Sequence, residues 1–162
     1  MKKIINPIST SILEKEINKD TFVRKTNYCN HDIYIVDFHS HPNTTMEIGR
    51  LRELSFRNAG GGTGKSYDLD EFDTREEAFY KQLIVWDPEE KKVIGGYRFI
   101  LGNDVISSSK YNNTATNNLF DFSSDFYTKT LGLTIELGRS FVQPEYQPSS
   151  GNRKAIFSLD NL

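Results

Sequence analysis

Apolar positions recur along this chain with two spacings. Ile12, Leu13 and Ile17 lie on one side of a short helix predicted over residues 9–19. Ile48, Leu51 and Leu54 form the stripe of a longer helix, expected to open at the capping-box pair Thr44 and Glu47 and to run to about Asn58. Between them, residues 20–32 are polar and read as irregular, and residues 32–38 form a strand by their β-branched and aromatic content. Residues 80–86 and 93–100 form a hairpin, with turn chemistry at Asp87-Pro88-Glu89-Glu90. Gly95-Gly96 in its second strand suggests a bulge or a close backbone approach. Residues 103–118, rich in Asn, Ser and Thr, read as loop, and the aromatic stretch 119–127 as a short helix. Ser158 is placed to cap a further helix.

The last strand organises the rest. Leu133, Ile135, Leu137, Phe141 and Val142 make residues 133–142 read as a buried strand, yet it carries Glu136 and Arg139. Charges in a buried strand are costly unless paired or used. Positions three apart on a regular strand face opposite sides. Gly138 lies between the two charges and can host a β-bulge, which would re-aim one side chain. A bulged strand carrying Glu and Arg has the make-up of a site.

Composition narrows the class. The 162 residues are 36% hydrophobic and 26% charged, enough for one soluble domain with a core. The net charge of −2 gives a nucleic-acid partner no electrostatic support. A single cysteine, Cys29, excludes an internal disulfide framework. The opening residues lack a signal-peptide pattern and no apolar run reaches spanning length, which points to the cytoplasm.

Three local patterns invite other chemistries. Residues 59–66, Ala-Gly-Gly-Gly-Thr-Gly-Lys-Ser, fit a relaxed phosphate-loop pattern. Such a loop must leave a strand and open a helix, whereas here a helix precedes it and aspartates follow, so a mobile loop that binds no nucleotide is expected. His31, His39 and His41 lack the further ligands a metal site needs and read as partly exposed loop residues, so no metal is expected. The acidic run Asp68, Asp70, Glu71 and Asp73 lacks the spacing of a helix–loop–helix calcium loop.

Four pieces then fall in a telling order: Arg52-x-x-x-Phe56, Asp70-x-x-Asp73, Gly96-Tyr97-Arg98 and Glu136-x-x-Arg139. That order resembles the acyl-homoserine lactone synthases of the GNAT-like acyltransferase superfamily. It resembles still more the bacterial ornithine-lipid and glycine-lipid N-acyltransferases, often labelled hemolysin-like. The likeness covers about residues 45–162. It implies an α+β fold, a mostly antiparallel sheet flanked by helices, with residues 1–30 as an N-terminal extension and 31–162 as the N-terminal part of the GNAT-like domain. It also implies transfer of a fatty acyl group from acyl carrier protein, or from coenzyme A, to the amine of a small amino acid in lipid synthesis. An autoinducer synthase and a non-catalytic acyl- or carrier-protein-binding module are the alternatives. No tightly bound cofactor is implied, only the acyl thioester as co-substrate.

The resemblance assigns Glu136, Arg139 and Arg98 to catalysis, and Arg52, Phe56, Asp70 and Asp73 to substrate binding. It assigns Gly138, Ser140, Val142, Arg153 and Lys154 to the donor. An amine attacking a thioester must shed a proton, and a carboxylate in a semi-apolar site can take it, which makes Glu136 the candidate base. Strand amides freed at a bulge can stabilise the developing oxyanion. In such enzymes further strands follow, so this chain is expected to lack C-terminal strands and to have little activity by itself. It is also expected to present a sticky strand edge suited to a homodimer, and to work in the cytoplasm, at the inner membrane face if it meets the membrane.

Overall fold

The computed structural model describes residues 1–151. Five antiparallel strands form one sheet in sequence order: β1 (Phe22–Lys25), β2 (Asp32–Val36), β3 (Lys81–Asp87), β4 (Lys92–Leu101) and β5 (Ile135–Val142). The α+β architecture with a mostly antiparallel sheet is the one expected. Among the described residues, four α-helices accompany it: α1 (Thr10–Glu16), α2 (Pro42–Asn58), α3 (Glu71–Thr74) and α4 (Gly102–Ser107).

Period-two alternation sorts the sheet into two faces. On one, Val36, Ile84, Trp86, Val93 and Phe141 pack against Leu13 and Ile17 near α1 and against Ile48 and Leu51 of α2. Farther along that face, Tyr80 and Ile100 pack with Phe72, Val105 and Leu131. Ile33, Val85, Ile94 and Val142 share the opposite face with Tyr146, whose hydroxyl donates to Asp87 at 3.0 Å. The rest of that face carries Leu101, Ile135 and Leu137, which are 38%, 58% and 60% exposed.

Several elements depart from the sequence expectation for identifiable reasons. β1 lies in the stretch that reads as irregular, because all four of its side chains are exposed and leave no apolar alternation. Residues 1–30 thus add β1 to the sheet and Leu13 and Ile17 to the core. α2 begins at Pro42, before the Thr44–Glu47 pair, and no capping box forms there. The carboxylate of Glu16, reaching from α1, accepts instead from the backbone of Asn43 at 3.2 Å and Thr44 at 2.7 Å. An anion at a helix N-terminus satisfies orphan amides and complements the dipole whichever element supplies it. The first residues of the loop-like stretch form α4, and the aromatic stretch ends in a wide helical turn, Phe126–Thr130.

Gly96 marks a close approach. A Cβ built there would stand 2.3 Å from the Leu83 carbonyl oxygen of the neighbouring strand. The pairing of β3 with β4 shifts beside it, between Val85 and Trp86.

β5 is an edge strand of the described sheet, not a buried one. It pairs with β4 alone, and only Phe141 and Val142 at its end are buried. Its bulge lies one residue beyond Gly138. Gly96 faces Phe141 and Arg98 faces Gly138, so Arg139 and Ser140 together oppose Tyr97. Arg139 adopts φ +55°, a left-handed conformation that costs a non-glycine residue about 1–2 kcal/mol. The extra residue brings Arg139 onto the face that carries Glu136.

Candidate active site

α2 carries Arg52 on its buried side, and α3 presents Asp70 and Asp73 to it. Both aspartates are oriented by the capping box of α3: Asp70 accepts from the Phe72 amide at 3.0 Å, and Asp73 accepts from the Asp70 amide at 3.1 Å. Asp73 is the hub. It pairs with Arg52 at 3.3 Å and Arg98 at 3.1 Å and accepts from the Gln82 amide at 2.9 Å. Arg52 also donates to the Gln82 carbonyl oxygen. Arg52 and Asp73 are fully buried, so each depends on the other's charge. Arg98 reaches on to Asp70 at 2.7 Å, and Arg139 closes the row at 3.4 Å from Asp68 and 3.6 Å from Asp70.

Burial and pairing compete along this row. Desolvation alone would lower the Arg98 guanidinium, but Asp73 and Asp70 outweigh it and hold it above its ordinary pKa. Desolvation would raise Asp70, yet Arg98 and Arg139 pull it below the usual carboxylate value. For Asp68, burial wins over Arg139 and Arg52 and the pKa rises. Three arginines and three aspartates thereby answer one another.

Glu136 stands at the end of this row in a different setting. It is half-buried, and its carboxylate accepts from the Tyr80 hydroxyl at 2.5 Å and the Thr116 amide at 3.3 Å. The Tyr80 hydroxyl in turn accepts from the Ala115 amide at 2.9 Å. Burial first, and then Glu136, push the Tyr80 phenol up, so it remains a neutral donor across ordinary pH. The guanidinium of Arg98 lies over the Tyr80 ring, 4.8 Å from its centre. Both of these hydrogen bonds to Glu136 come from neutral donors.

A cleft of about 370 Å³ joins the parts, lined by Asp70, Arg98, Glu136, Gly138 and Arg139, with Arg52 and Asp73 buried beneath. Arg52, Asp70, Asp73, Arg98, Glu136 and Arg139 come together here, but Arg98 and Arg139 pair with the aspartates and not with Glu136. Gly138 faces Arg98 across the pairing, while Ser140 sits exposed in the bulge. Val142 packs into the opposite face, and Phe56 packs beside the α1–α2 core, so neither lines this cleft. Arg153, Lys154 and the cap at Ser158 lie outside the described residues.

Tyr80, Gln82 and Thr116 escape a reading of the sequence. Gln82 alone left a trace, being a polar residue at an inward position between Tyr80 and Ile84. Thr116 touches Glu136 only because the chain folds back from a distant loop.

The glycine loop is tied down, contrary to the expectation of mobility. The fully buried Glu53 carboxylate accepts from the Thr63 amide at 2.9 Å, the Thr63 hydroxyl at 2.6 Å and the Gly64 amide at 2.8 Å. Arg57 pairs with the same group at 2.6 Å. The loop's amides thus embrace an internal anion, the role a phosphate would otherwise take. Burial opposes ionisation, but Thr63, Arg57 and Gly64 overcome it and bring Glu53 down to about 2. Its folded pKa lies below the ordinary 4.5, so its contribution is complete above pH 4.5 and lost as pH falls towards 2. Hydrogen-exchange protection at Thr63 and Gly64 is expected to fall through that window, and in Glu53→Gln at neutral pH. ATP is expected to show no saturable binding at either pH.

His31 is buried, with Nε2 3.7 Å from Asp87, which corrects the expectation of loop exposure; His39 Nε2 meets the Arg75 carbonyl at 2.9 Å. Among the described residues, no three His, Cys, Asp or Glu side chains are grouped to bind a metal, and no helix is long and apolar enough to cross a membrane.

The sheet, the bulged strand and the paired charges find their class in a comparison with known families. Residues 51–155 match the GNAT acetyltransferase domain, and the chain belongs to that family. Among particular proteins, it is 50% identical to a glycine N(alpha)-acyltransferase of Bacteroides thetaiotaomicron, over the whole of this chain and 48% of that protein. A glycine N(alpha)-acyltransferase of Phocaeicola vulgatus is 47% identical over the whole chain and 50% of its own length. The chain spans about half the length of the curated relatives it matches. No solved structure matches it.

Proposed function

We propose that this chain carries the amine-activating side of an N-acyltransferase that moves a fatty acyl group from a carrier-protein or coenzyme A thioester to the amine of a small amino acid. Glycine is the first candidate acceptor, because both relatives are named for it. The observation that carries the reading is Glu136. It is a half-buried carboxylate hydrogen-bonded by Tyr80 and Thr116, beside a cleft whose arginines are engaged by aspartates. A carboxylate held by neutral donors keeps its capacity to accept a proton.

In the reaction, the amine nitrogen attacks the thioester carbonyl carbon. The C–N bond forms, and the ammonium proton passes to Glu136, directly or through a water. The C–S bond then breaks, and the sulfur leaves as a thiolate that takes this proton back from Glu136. Arg139 is 36% exposed at the cleft and has only long ion pairs, so it is the natural partner for the acceptor's carboxylate. Amides freed at the Arg139–Ser140 bulge would serve the oxyanion. Arg52, Asp70, Asp73 and Arg98 hold this geometry.

The acyl product is a lipid or lipid precursor, made in the cytoplasm. The exposed Leu119, Phe120 and Leu133 suit a contact with the inner membrane face. The open β5 edge suits a covering partner, a second copy included. The test is a product assay. The full-length protein, acyl carrier protein or coenzyme A thioesters and a panel of amino acids are expected to yield an N-acyl amino acid, with glycine preferred. Acyl lactone formation from S-adenosylmethionine, or thioester binding with no turnover, would overturn this reading.

A further inference from the structure

Beside the charged cleft lies a second cavity of about 310 Å³ with a different lining: Ile100, Phe122, Phe126 and Leu131, with Thr116 and Glu136 at its border. Thr116 and Glu136 line both spaces. The Glu136 carboxylate, held by Tyr80 and by Thr116 itself, therefore stands where an apolar chamber meets a charged one. The apolar wall is built on β4 and on the segment that returns to β5, where Phe122 and Phe126 stack with ring centres 4.4 Å apart. Phe126 and Leu131 also belong to the core cluster around Tyr80 and Ile100, so this wall is anchored to the strand that precedes it.

We infer that the apolar chamber receives the hydrocarbon chain of the acyl donor, while the charged cleft receives the amino acid. The inference rests on the acyltransferase reading above and adds to it where each substrate lies. A zwitterionic amino acid would lose its hydration in the chamber, where Glu136 at the border is the one charged side chain of the lining and no cation answers the acceptor's carboxylate. A hydrocarbon chain gains nothing from the arginine–aspartate row but leaves water in the chamber. With the chain in one space and the amine in the other, the thioester carbonyl falls at their junction, beside the proposed base. The acyl lengths accepted are then set by Phe122, Phe126 and Leu131.

The test uses full-length protein with thioesters of 4 to 16 carbons and glycine, in the native form and as Phe126→Trp and Phe126→Ala. Each methylene excluded from an apolar site costs about fourfold. A tryptophan that shuts out two of them is expected to lower the long-to-short ratio of kcat/KM by roughly tenfold or more, and alanine is expected to raise it. Calorimetry with 4- and 12-carbon pantetheine thioethers, which cannot react, should show the same change in the ratio of affinities. Equal ratios in all three proteins, with transfer to glycine intact, would overturn the placement of the chain and leave the acyltransferase reading standing. Absence of transfer by the native protein with every donor would overturn that reading itself. Phe126→Ala decides the matter alone if Phe126→Trp does not fold.

Discussion

Replacing Glu136 with glutamine is expected to slow acyl transfer in the full-length protein by about 10²–10⁴, the usual range for loss of a general base. Glutamine has nearly the same shape, and its carbonyl oxygen can still accept from Tyr80 and Thr116, so the wall between the two chambers stays in place. What disappears is the proton acceptor. The loss is expected in kcat with little change in KM, because the carboxylate acts on a proton in flight and does not hold the ground-state acceptor. It should also shrink as pH rises, since more of the amine then arrives already deprotonated. A folded Glu136→Gln protein with near-normal turnover at a pH where the amine is mostly protonated would reduce Glu136 to a structural anchor of Tyr80.

The second large effect is on stability. Asp73→Ala is expected to lower the free energy of unfolding by about 3–5 kcal/mol, the cost of leaving buried charge without its partner. Asp73 lies between two guanidinium groups, Arg52 and Arg98, and also binds Gln82. Without it, two cations face each other in a site that excludes water. The comparison is Lys129→Ala, which removes an exposed pair with Asp125 and is expected to cost less than about 1 kcal/mol. Urea unfolding of the two variants beside the parent measures both. A loss of less than about 1 kcal/mol for Asp73→Ala would mean that the row of charges does not help hold the fold.

These predictions touch different layers of the molecule, and the layers were not equally legible. The hairpin β3–β4 was readable because both strands alternate within an apolar run and a turn sequence joins them. α2 was readable because its apolar stripe repeats at helical spacing over several turns. Its start was not, because the cap comes from Glu16 in another element. β1 was invisible because an edge strand with exposed side chains needs only backbone pairing. β5 misled in the other direction: its apolar residues read as buried, yet Leu137 and Ile135 face outward on the open side.

By itself the sequence pointed to six of the charged groups gathered at the cleft. Arg52, Asp70, Asp73, Arg98, Glu136 and Arg139 stand out by their resemblance to an acyltransferase pattern and by lying on or beside apolar elements, where a charge needs a partner or a use. Residue identity is enough for that inference, because desolvation penalises a charge whichever neighbour finally answers it. Only the tertiary structure decided who answers whom. Arg98 and Arg139 go to aspartates because the capping box of α3 aims Asp70 and Asp73 at them, and because the bulge carries Arg139 onto the face of Glu136. Glu136 goes to Tyr80 and Thr116, residues 56 and 20 positions away along the chain. No local pattern encodes such pairs; they come from strand register and from a loop folding back over the sheet, which are properties of the whole packed chain.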